Sequence, residues 1–333
     1  MKVDTGLGHN LGRVAARATE AERSGIDCLW AAETVNDPFL TLTLAAEHTE
    51  RPLLGTSIVV AFARNPMSLA YTANQLQDYS RGRLVVGMGS QVRRHIEKRF
   101  SSTWSHPARR MREFVLAMRA IWASWNDGAP LDFEGEFYTH TLMTPVFAPR
   151  PHAFGPPGVF LAAVGPVMTE VAGEVADGVI THGLSSPRYL REVTLPAVER
   201  GLAKSGRTRA DIQVTCPGFV AVVENEAKRD KARDAMRNTL AYYASTPAYL
   251  PVMELHGWGE LQRTLYDLSK QGRWDDMARV VDDEMLDTLA IVCSPSELAA
   301  QVGARYGGLC DRIGATWWDR AWWPDVEREL RAL

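Results

Sequence analysis

One unit recurs along this chain and restricts the folds open to it: an apolar strand, a helix cap, a helix and a glycine. The clearest copy is residues 53–90. LLGTSIVVAF is rich in β-branched residues, and Asn65-Pro66 after it supplies a cap and a first-turn proline. The following helix ends at Arg81-Gly82, where glycine suits the C′ position, and RLVVGMGS is a second apolar run. The segment is predicted to be strand, helix, strand.

Further copies of this unit extend over the whole chain. The other strand candidates are KVDTGL, IDCLWAAE, VFLAAVG, GVITHG, DIQVTCPGFVAVV, LAIVC and RIGATW. Prolines open several of the intervening helices, and a capping box runs from Ser294 to Glu297. Eight β/α repeats over 333 residues predict an α/β fold, a TIM (β/α)8 barrel rather than an open sheet.

Three segments exceed a minimal barrel. Residues 91–121 form a basic helical excursion, residues 131–147 contain the hairpin-like alternation DFEGEFYTH, and residues 244–288 form a long helical insertion. No segment has the Pro/Gly/Ser bias of a domain junction. We therefore expect a single domain over residues 1–333, with insertions at about 91–158 and 244–288, after strands 4 and 7. Insertions at the carboxyl face of a barrel shape the substrate pocket.

Composition excludes several classes of partner. The formal net charge of −3 gives no case for nucleic-acid or membrane binding, and no apolar run approaches the roughly 20 residues of a bilayer span. The four cysteines are widely spaced, and the N-terminus starts in a strand-like pattern with no signal peptide, so a reduced cytoplasmic protein is expected. No HExxH motif, Cys/His cluster or nucleophile elbow is present, so no metal site or hydrolase is expected.

Small residues mark the carboxyl ends of two central strands, where parallel α/β sheets bind ligands. Their sequences, LGTSIVVAFARNPMSLA and LQDYSRGRLVVGMGS, together with GEVADGVI, resemble the luciferase-like monooxygenase superfamily, in particular its coenzyme F420-dependent branch. The resemblance covers essentially the whole chain. It implies a bacterial luciferase-like TIM barrel, frequently dimeric, that performs hydride transfer with a deazaflavin or flavin-dependent monooxygenation.

The resemblance also implies cofactor-binding residues. The bond Ser57-Ile58 matches a non-prolyl cis peptide in a bulge of the third strand that backs the cofactor ring. Gly165 opens a helix whose free amides suit a phosphate or carboxylate. The predicted cofactor-binding residues are Ser57, Ile58, Gly87, Gly89, Ser90, Ala163, Val164, Gly165, Thr181 and Gly183.

The second strand departs from the pattern of the resemblance. An acid–His pair is expected at its end; Glu33 matches the acid, but Thr34 stands where the histidine is expected. Asn36 cannot shuttle a proton near neutral pH. The predicted catalytic residues are therefore Glu33, Asp37 and His182, with His9 as a further imidazole. Pure hydride transfer without a protein base stays an alternative.

Charge and aromatic residues add two expectations. Residues 81–112 are basic, which fits either a solvated helix face or attraction for an anionic cofactor. Trp30 is expected to help wall the cofactor pocket. The insertion over 244–288 carries Tyr249, Trp258, Tyr266 and Trp274 and is predicted to act as a mobile lid.

The leading functional hypothesis is a coenzyme F420-dependent oxidoreductase that transfers a hydride between deazaflavin and a small organic substrate, in a homodimer. The alternatives are an FMN-dependent luciferase-like monooxygenase and a non-catalytic flavin- or deazaflavin-binding protein. Titration with each cofactor separates the first two, and a turnover screen separates the third.

Overall fold

Eight parallel strands close into a barrel in the computed structural model, which describes residues 1–333. Each strand pairs with the next along the chain, and the last pairs with the first through Lys2–Arg312 and Asp4–Gly314. The strands are β1 (Lys2–Gly6), β2 (Cys28–Ala31), β3 (Leu53–Thr56), β4 (Leu84–Gly89), β5 (Gly158–Ala162), β6 (Gly178–Ile180), β7 (Gln213–Cys216) and β8 (Arg312–Gly314). The predicted TIM barrel with insertions is confirmed.

One strand candidate divides into two. In DIQVTCPGFVAVV only Gln213–Cys216 belongs to the barrel, because Pro217 lacks a ladder donor and Gly218 turns the chain with a φ of 57°. The second half, Phe219–Val222, forms a separate parallel pair with Ala290–Cys293. The candidate LAIVC therefore lies outside the barrel, and RIGATW supplies its eighth strand.

Helices surround the barrel and fill the insertions. They are α1 (Leu11–Arg23), α2 (Pro38–Glu47), α3 (Pro66–Tyr79), α4 (Arg93–Lys98), α5 (Pro107–Asn126), α6 (Pro166–Val175), α7 (Pro187–Tyr189), α8 (Leu195–Lys204), α9 (Arg229–Ala244), α10 (Leu250–Leu255), α11 (Gly259–Lys270), α12 (Trp274–Val280), α13 (Asp283–Leu289), α14 (Leu298–Tyr306) and α15 (Trp323–Arg331). A π-helical segment, Leu190–Thr194, joins α7 to α8. None of these helices combines the length and the apolar composition that a membrane span requires.

The segment after β4 contains an ordinary barrel helix. Helix α5 packs between α3 and α6, so the second half of the predicted excursion over 91–121 takes the position of the fourth barrel helix. The expected hairpin follows it as an antiparallel pair, Phe133–Glu134 with Thr139–His140. Its turn is tethered to α5, because the Glu113 carboxylate accepts hydrogen bonds from three successive backbone N–H groups, at 2.6–2.9 Å.

The barrel interior has an apolar half and a charged half. Val85, Phe160 and Ile180 pack together on the β4–β6 side. On the opposite side, the Arg312 guanidinium donates two hydrogen bonds to Asp4, at 2.6 and 2.8 Å, and both side chains are almost fully buried. Burial raises the pKa of Asp4, while Arg312 opposes that rise. The ion pair joins the first and last strands and so closes the barrel.

A second apolar cluster holds the insertion over 244–288. Helices α9–α13 bury their apolar faces against one another and against Leu184 and Tyr189, which follow β6. The insertion is thus packed over the carboxyl end of the barrel on the β6–β7 side.

Candidate active site at the barrel mouth

A cavity of about 620 Å³ opens at the carboxyl ends of the strands, within the range of about 300–1,000 Å³ typical of small-molecule sites. Most of its wall comes from the β7, β8, β1 and β2 side of the barrel. The residues that line it are Asp4, Thr5, Gly6, Gly8, His9, Arg17, Trp30, Ala32, Ser57, Ile180, Thr215, Pro217, Gly218, Val220, Gly314, Ala315, Thr316 and Trp317.

Trp30 forms part of the cavity wall, as expected. Its ring lies against Gly55, where a Cβ atom would stand 2.1 Å from the ring. The centroid of the Trp30 ring lies 6.1 Å from the centroid of the Phe160 ring. Its Nε1 donates to Asp4 Oδ2 at 3.0 Å. The tryptophan is therefore fixed between the apolar half and the charged half of the interior.

Strand β3 ends in a bulge that faces the cavity. The peptide bond between Ser57 and Ile58 is cis. The N–H of Ser57 donates to Ala31 O at 2.8 Å, and the Ser57 hydroxyl makes no hydrogen bond within the protein. After the bulge, Val59–Val60 pairs with the end of β4. Of the ten predicted cofactor-binding residues, Ser57 is the one that lines this cavity.

The predicted acids Glu33 and Asp37 lie beside the bulge, and both are paired with Arg64. The Glu33 carboxylate accepts from Arg64 at 2.6 and 2.7 Å and from the Val60 N–H at 2.7 Å. Asp37 accepts from Arg64 at 2.8 Å and also caps α2. Neither lines the cavity. These hydrogen bonds hold the bulge in place. The catalytic role of Glu33 and Asp37 stays a prediction, and their pairing with Arg64 does not support it.

The glycines of β4 serve close packing. A Cβ atom on Gly87 would lie 1.9 Å from Thr56 O, and one on Gly89 would lie 3.0 Å from the Ile58 side chain. Ile58 therefore packs over β4, next to Ala162 of β5. Ser90 follows as a half-buried residue whose hydroxyl donates to Gln91 O. Their predicted contact with a cofactor stays a prediction.

A second groove, of about 460 Å³, lies between the N-termini of α5 and α6. Neither helix has a side-chain cap: His106 precedes α5 and Gly165 precedes α6. Proline, which has no N–H, occupies the first position of both helices, and the surface that lines the groove is almost entirely apolar. Arg109, beside the groove, is paired with Glu136. Ala163 is buried, and Val164 accepts a hydrogen bond from the Tyr189 hydroxyl at 3.0 Å. Of the predicted β5-end residues, Gly165 lines this groove, and its contact with a cofactor stays a prediction.

His182 sits in an aromatic cluster beneath the insertion. Its ring stacks on Tyr249 at 4.3 Å and meets the edge of Tyr243 at 4.7 Å, with Phe219 at 5.9 Å. Burial lowers the pKa of His182 to about 4, so the imidazole is neutral at pH 7. Leu184 N–H donates to Nδ1, which leaves the proton on Nε2.

Thr181 and Gly183, on either side of His182, contact β7 and the Phe219 side chain that follows it. The Thr181 hydroxyl donates to Thr215 O at 3.0 Å, and Gly183 packs against the Phe219 ring. His182, Thr181 and Gly183 do not line the large cavity.

The imidazole that does line the cavity is His9. Its Nδ1 and Nε2 lie 3.3 and 3.4 Å from Thr34 Oγ1, so the loop after β1 brings an imidazole to the strand end where the resemblance expects one. The Asn36 amide donates to His9 O and holds the loop. His9 thus stands in the cavity beside Thr34, where Glu33 and Asp37 do not.

Our sequence reasoning missed the β1, β7 and β8 ends of the cavity. Gly6 and Gly8, Pro217-Gly218, and residues 314–317 all follow strands. The rule that ligands bind at the carboxyl ends of parallel strands applies to them equally. That rule would have indicated them had it been applied to every strand.

The cavity fits a polar ring system. The Thr215 hydroxyl is buried and has no hydrogen-bond partner, and the Ser57 hydroxyl across the cavity is also without one. A buried polar group without a hydrogen-bond partner is unfavourable. A bound molecule with polar edges would supply the hydrogen bonds that these hydroxyls lack within the protein. The apolar faces of Trp30 and Ile180 lie beside these hydroxyls.

Comparison with known proteins identifies the class. The family model for luciferase-like monooxygenases matches residues 2–312. An uncharacterized protein of Mycobacterium tuberculosis (strain H37Rv) is 52% identical over 313 residues, covering 94% of this chain and 92% of that protein. The 5,10-methylenetetrahydromethanopterin reductase of Archaeoglobus fulgidus is 29% identical over 290 residues, covering 85% and 82%. The chain therefore belongs to the luciferase-like monooxygenase family, whose members are oxidoreductases and monooxygenases.

Solved structures share the fold. The coenzyme F420-dependent tetrahydromethanopterin reductase of Methanopyrus kandleri superposes with a TM-score of 0.79 at 21% identity, covering 100% of this chain and 99% of the other. A type II Baeyer–Villiger monooxygenase of Pseudomonas putida in complex with FMN superposes with a TM-score of 0.63 at 17% identity, covering 99% and 96%.

Proposed function

We propose that the protein is a coenzyme F420-dependent oxidoreductase that acts on a small organic substrate. The observation that carries this proposal is the cavity between the Ser57 bulge and the Thr215 hydroxyl, with apolar walls from Trp30 and Ile180. The reductases among its relatives support the deazaflavin over other redox groups.

Different residues of the site would bind different parts of the cofactor. When bound, the deazaflavin supplies a carbon that accepts or donates a hydride. Ser57 and Thr215 offer hydroxyls to the polar edges of the ring, and Trp30 offers an apolar wall. The N-terminus of α6 at Gly165, which has no side-chain cap, suits the phosphodiester or a carboxylate of its tail. His9 holds or delivers a proton next to Thr34.

FMN-dependent monooxygenation is the second candidate, because the same fold binds FMN in the Pseudomonas putida protein. The two separate in a binding experiment: the purified protein is titrated with F420 and with FMN, and ligand fluorescence is followed. We expect F420 to bind more tightly. Tight FMN binding without F420 binding would overturn the first choice. Intact binding with broad inactivity in a turnover screen would favour a non-catalytic binding protein.

A matched pair of variants tests whether either cofactor uses this cavity. Ala32→Phe fills the cavity from its wall, whereas Ala16→Phe adds the same ring on the exposed face of α1. We expect Ala32→Phe to abolish cofactor binding and Ala16→Phe to leave it unchanged. Equal binding by both variants would place the cofactor elsewhere.

We further propose that the insertion over 244–288 acts as a lid. Tyr249, on this insertion, stacks directly on His182 at the barrel end, and Trp258 packs in the same apolar cluster. Deleting the insertion should abolish turnover while cofactor binding stays measurable, since the lid keeps water from the reacting groups. Unchanged turnover would contradict the lid.

A homodimer is proposed as the working assembly. Leu40 and Leu44 lie one turn apart on α2 and are 61% and 37% exposed, an apolar stripe on the outer surface. Light scattering after size exclusion should give twice the mass of one chain. Leu40→Glu should give the monomer, and Leu142→Glu, on an exposed loop, should not.

A further inference from the structure

We infer that the substrate of this oxidoreductase carries a carboxylate and that Arg17 binds it. This inference rests on the proposed function and adds the substrate class.

The cavity has one uncompensated fixed charge. Two of the residues that line the cavity carry a carboxylate or a guanidinium. Asp4 forms an ion pair with Arg312, whereas Arg17 has no acidic partner. The hydrogen bond that Arg17 makes runs from Nε to Gly6 O, at 3.0 Å. Both terminal nitrogens are left without a protein acceptor. A cation at a cavity mouth, with its fork unused, is suited to bind an anion.

The Arg17 side chain is held in place before any ligand arrives. Its Cζ lies 5.1 Å from the centroid of Trp318, over the ring. Trp318 is itself buried, and its Nε1 donates to Thr5 Oγ1 at 2.9 Å. Stacking and the Nε hydrogen bond together restrict the guanidinium, so little conformational entropy is lost when it binds a carboxylate.

Nearby acids do not cancel this charge. Glu33 and Asp37, on the adjacent β2 end, share Arg64, and the one negative charge that this leaves is balanced by Arg99. Arg99 approaches the same corner and donates to Thr34 O at 2.6 Å, and it also has no acidic partner. The β1–β2 side of the mouth is therefore cationic, although the whole chain has a formal net charge of −3.

Arg17 lies on a different side of the barrel from Gly165, toward which the proposed cofactor tail extends. Arg17 is on α1, which follows β1, whereas Gly165 opens α6, which follows β5. Strands β1 and β5 are on opposite sides of an eight-stranded barrel. A cofactor that extends from Ser57 toward Gly165 leaves the Arg17 side of the cavity open to substrate.

Carboxylates paired with their neutral amides test this inference. Acetate, benzoate and phenylacetate, and then acetamide, benzamide and phenylacetamide, are titrated into the full chain, with and without F420, and binding is measured by saturation-transfer NMR. We expect at least one acid to bind more tightly than its amide. Arg17→Gln should weaken binding of that acid about tenfold or more, because a charged hydrogen-bonded pair is lost.

Arg13→Gln is the matched control. Arg13 is exposed on the same helix and makes no ion pair, so this variant removes the same charge without changing the cavity. Arg17→Lys keeps the charge, loses the fork and should bind with intermediate affinity. Circular dichroism checks the fold of each variant.

Three results would overturn the inference. The acids bind no more tightly than the amides; Arg17→Gln and Arg13→Gln bind them equally; or Arg17→Gln weakens F420 binding by the same factor, which would assign Arg17 to the cofactor. Failure of the proposed function is distinct, since it appears as absent binding of F420 in the wild-type protein.

Discussion

His9 and Thr34 show how single residues can replace a motif. Thr34 follows β2 at the position where the resemblance expects a histidine, yet an imidazole from the β1 loop lies within 3.4 Å of its hydroxyl and lines the cavity. The chemistry expected at one strand end is thus supplied from its neighbour. The two residues are 25 positions apart, so spacing in the sequence does not reveal their contact.

We expect His9→Asn to lower kcat by about 10²-fold or more, if turnover requires proton transfer, because asparagine cannot donate and recover a proton. F420 affinity should be unchanged. His95→Asn, on the exposed face of α4, is the control. Steady-state kinetics with a substrate found by screening provides the measurement, and equal kcat in both variants would remove His9 from the mechanism.

His182 is predicted to make stability depend on pH. Burial lowers its pKa to about 4, below the ordinary value of 6.5, so the unfolded chain binds this proton first as pH falls. The contribution of the neutral, buried His182 to the free energy of unfolding is therefore complete above pH 6.5 and is lost progressively from pH 6.5 toward pH 4. The wild-type protein should therefore lose about 2–3 kcal/mol more than His182→Phe between pH 7 and pH 4.5. Urea unfolding at both pH values measures this; identical losses would contradict the burial argument.

At the level of elements, the β3–β4 contact depends on a missing side chain. Thr56 Oγ1 donates to Gly87 O at 2.8 Å, and the backbone of β3 lies where a Gly87 Cβ atom would stand. Overpacking of this kind destabilises by about 1–3 kcal/mol or more. We expect Gly87→Ala to lower the free energy of unfolding by at least this amount.

The control for that prediction is Gly158→Ala in β5, where an added Cβ atom meets nothing within 4 Å. This variant should be neutral or slightly more stable, since alanine restricts the unfolded chain. Denaturant titrations of the two variants compare them directly. A similar stability for both would show that β3 moves away from Gly87 without penalty.

The sequence predicts these elements better than it predicts their contacts. Proline caps such as Asn65-Pro66 and glycines such as Gly82 make the alternation of strand and helix visible. The division at Pro217-Gly218 was missed because the apolar run continues across it. The placement of α5 depends on packing against α3 and α6, which no local pattern encodes.

The candidate site was predictable only in part. The resemblance predicts Ser57, and strand position predicts Trp30, at the cofactor pocket, and both line the cavity. Arg17 lies within an amphipathic helix, where a basic residue is ordinarily a solvated one. The charge partners that decide its role, Arg312 for Asp4 and Arg64 for Glu33, are distant in sequence.

At the level of the whole molecule, the ion pair between Asp4 and Arg312 joins residues 308 positions apart and closes the barrel. Arg312→Leu leaves a buried carboxylate without its partner and should cost about 3–5 kcal/mol of stability. The double variant Asp4→Leu/Arg312→Leu should recover most of this loss, since it removes both charges. Thermal and urea unfolding of the set measures the effect; a double variant no better than Arg312→Leu would contradict it.

The most direct test of the account is a crystal structure of the protein with F420 bound. We expect the deazaflavin ring in the 620 Å³ cavity, against Ser57 and within hydrogen-bond distance of Thr215, with the tail toward Gly165 and the terminal nitrogens of Arg17 free. A ring bound outside this cavity, or a tail held by Arg17, would contradict it.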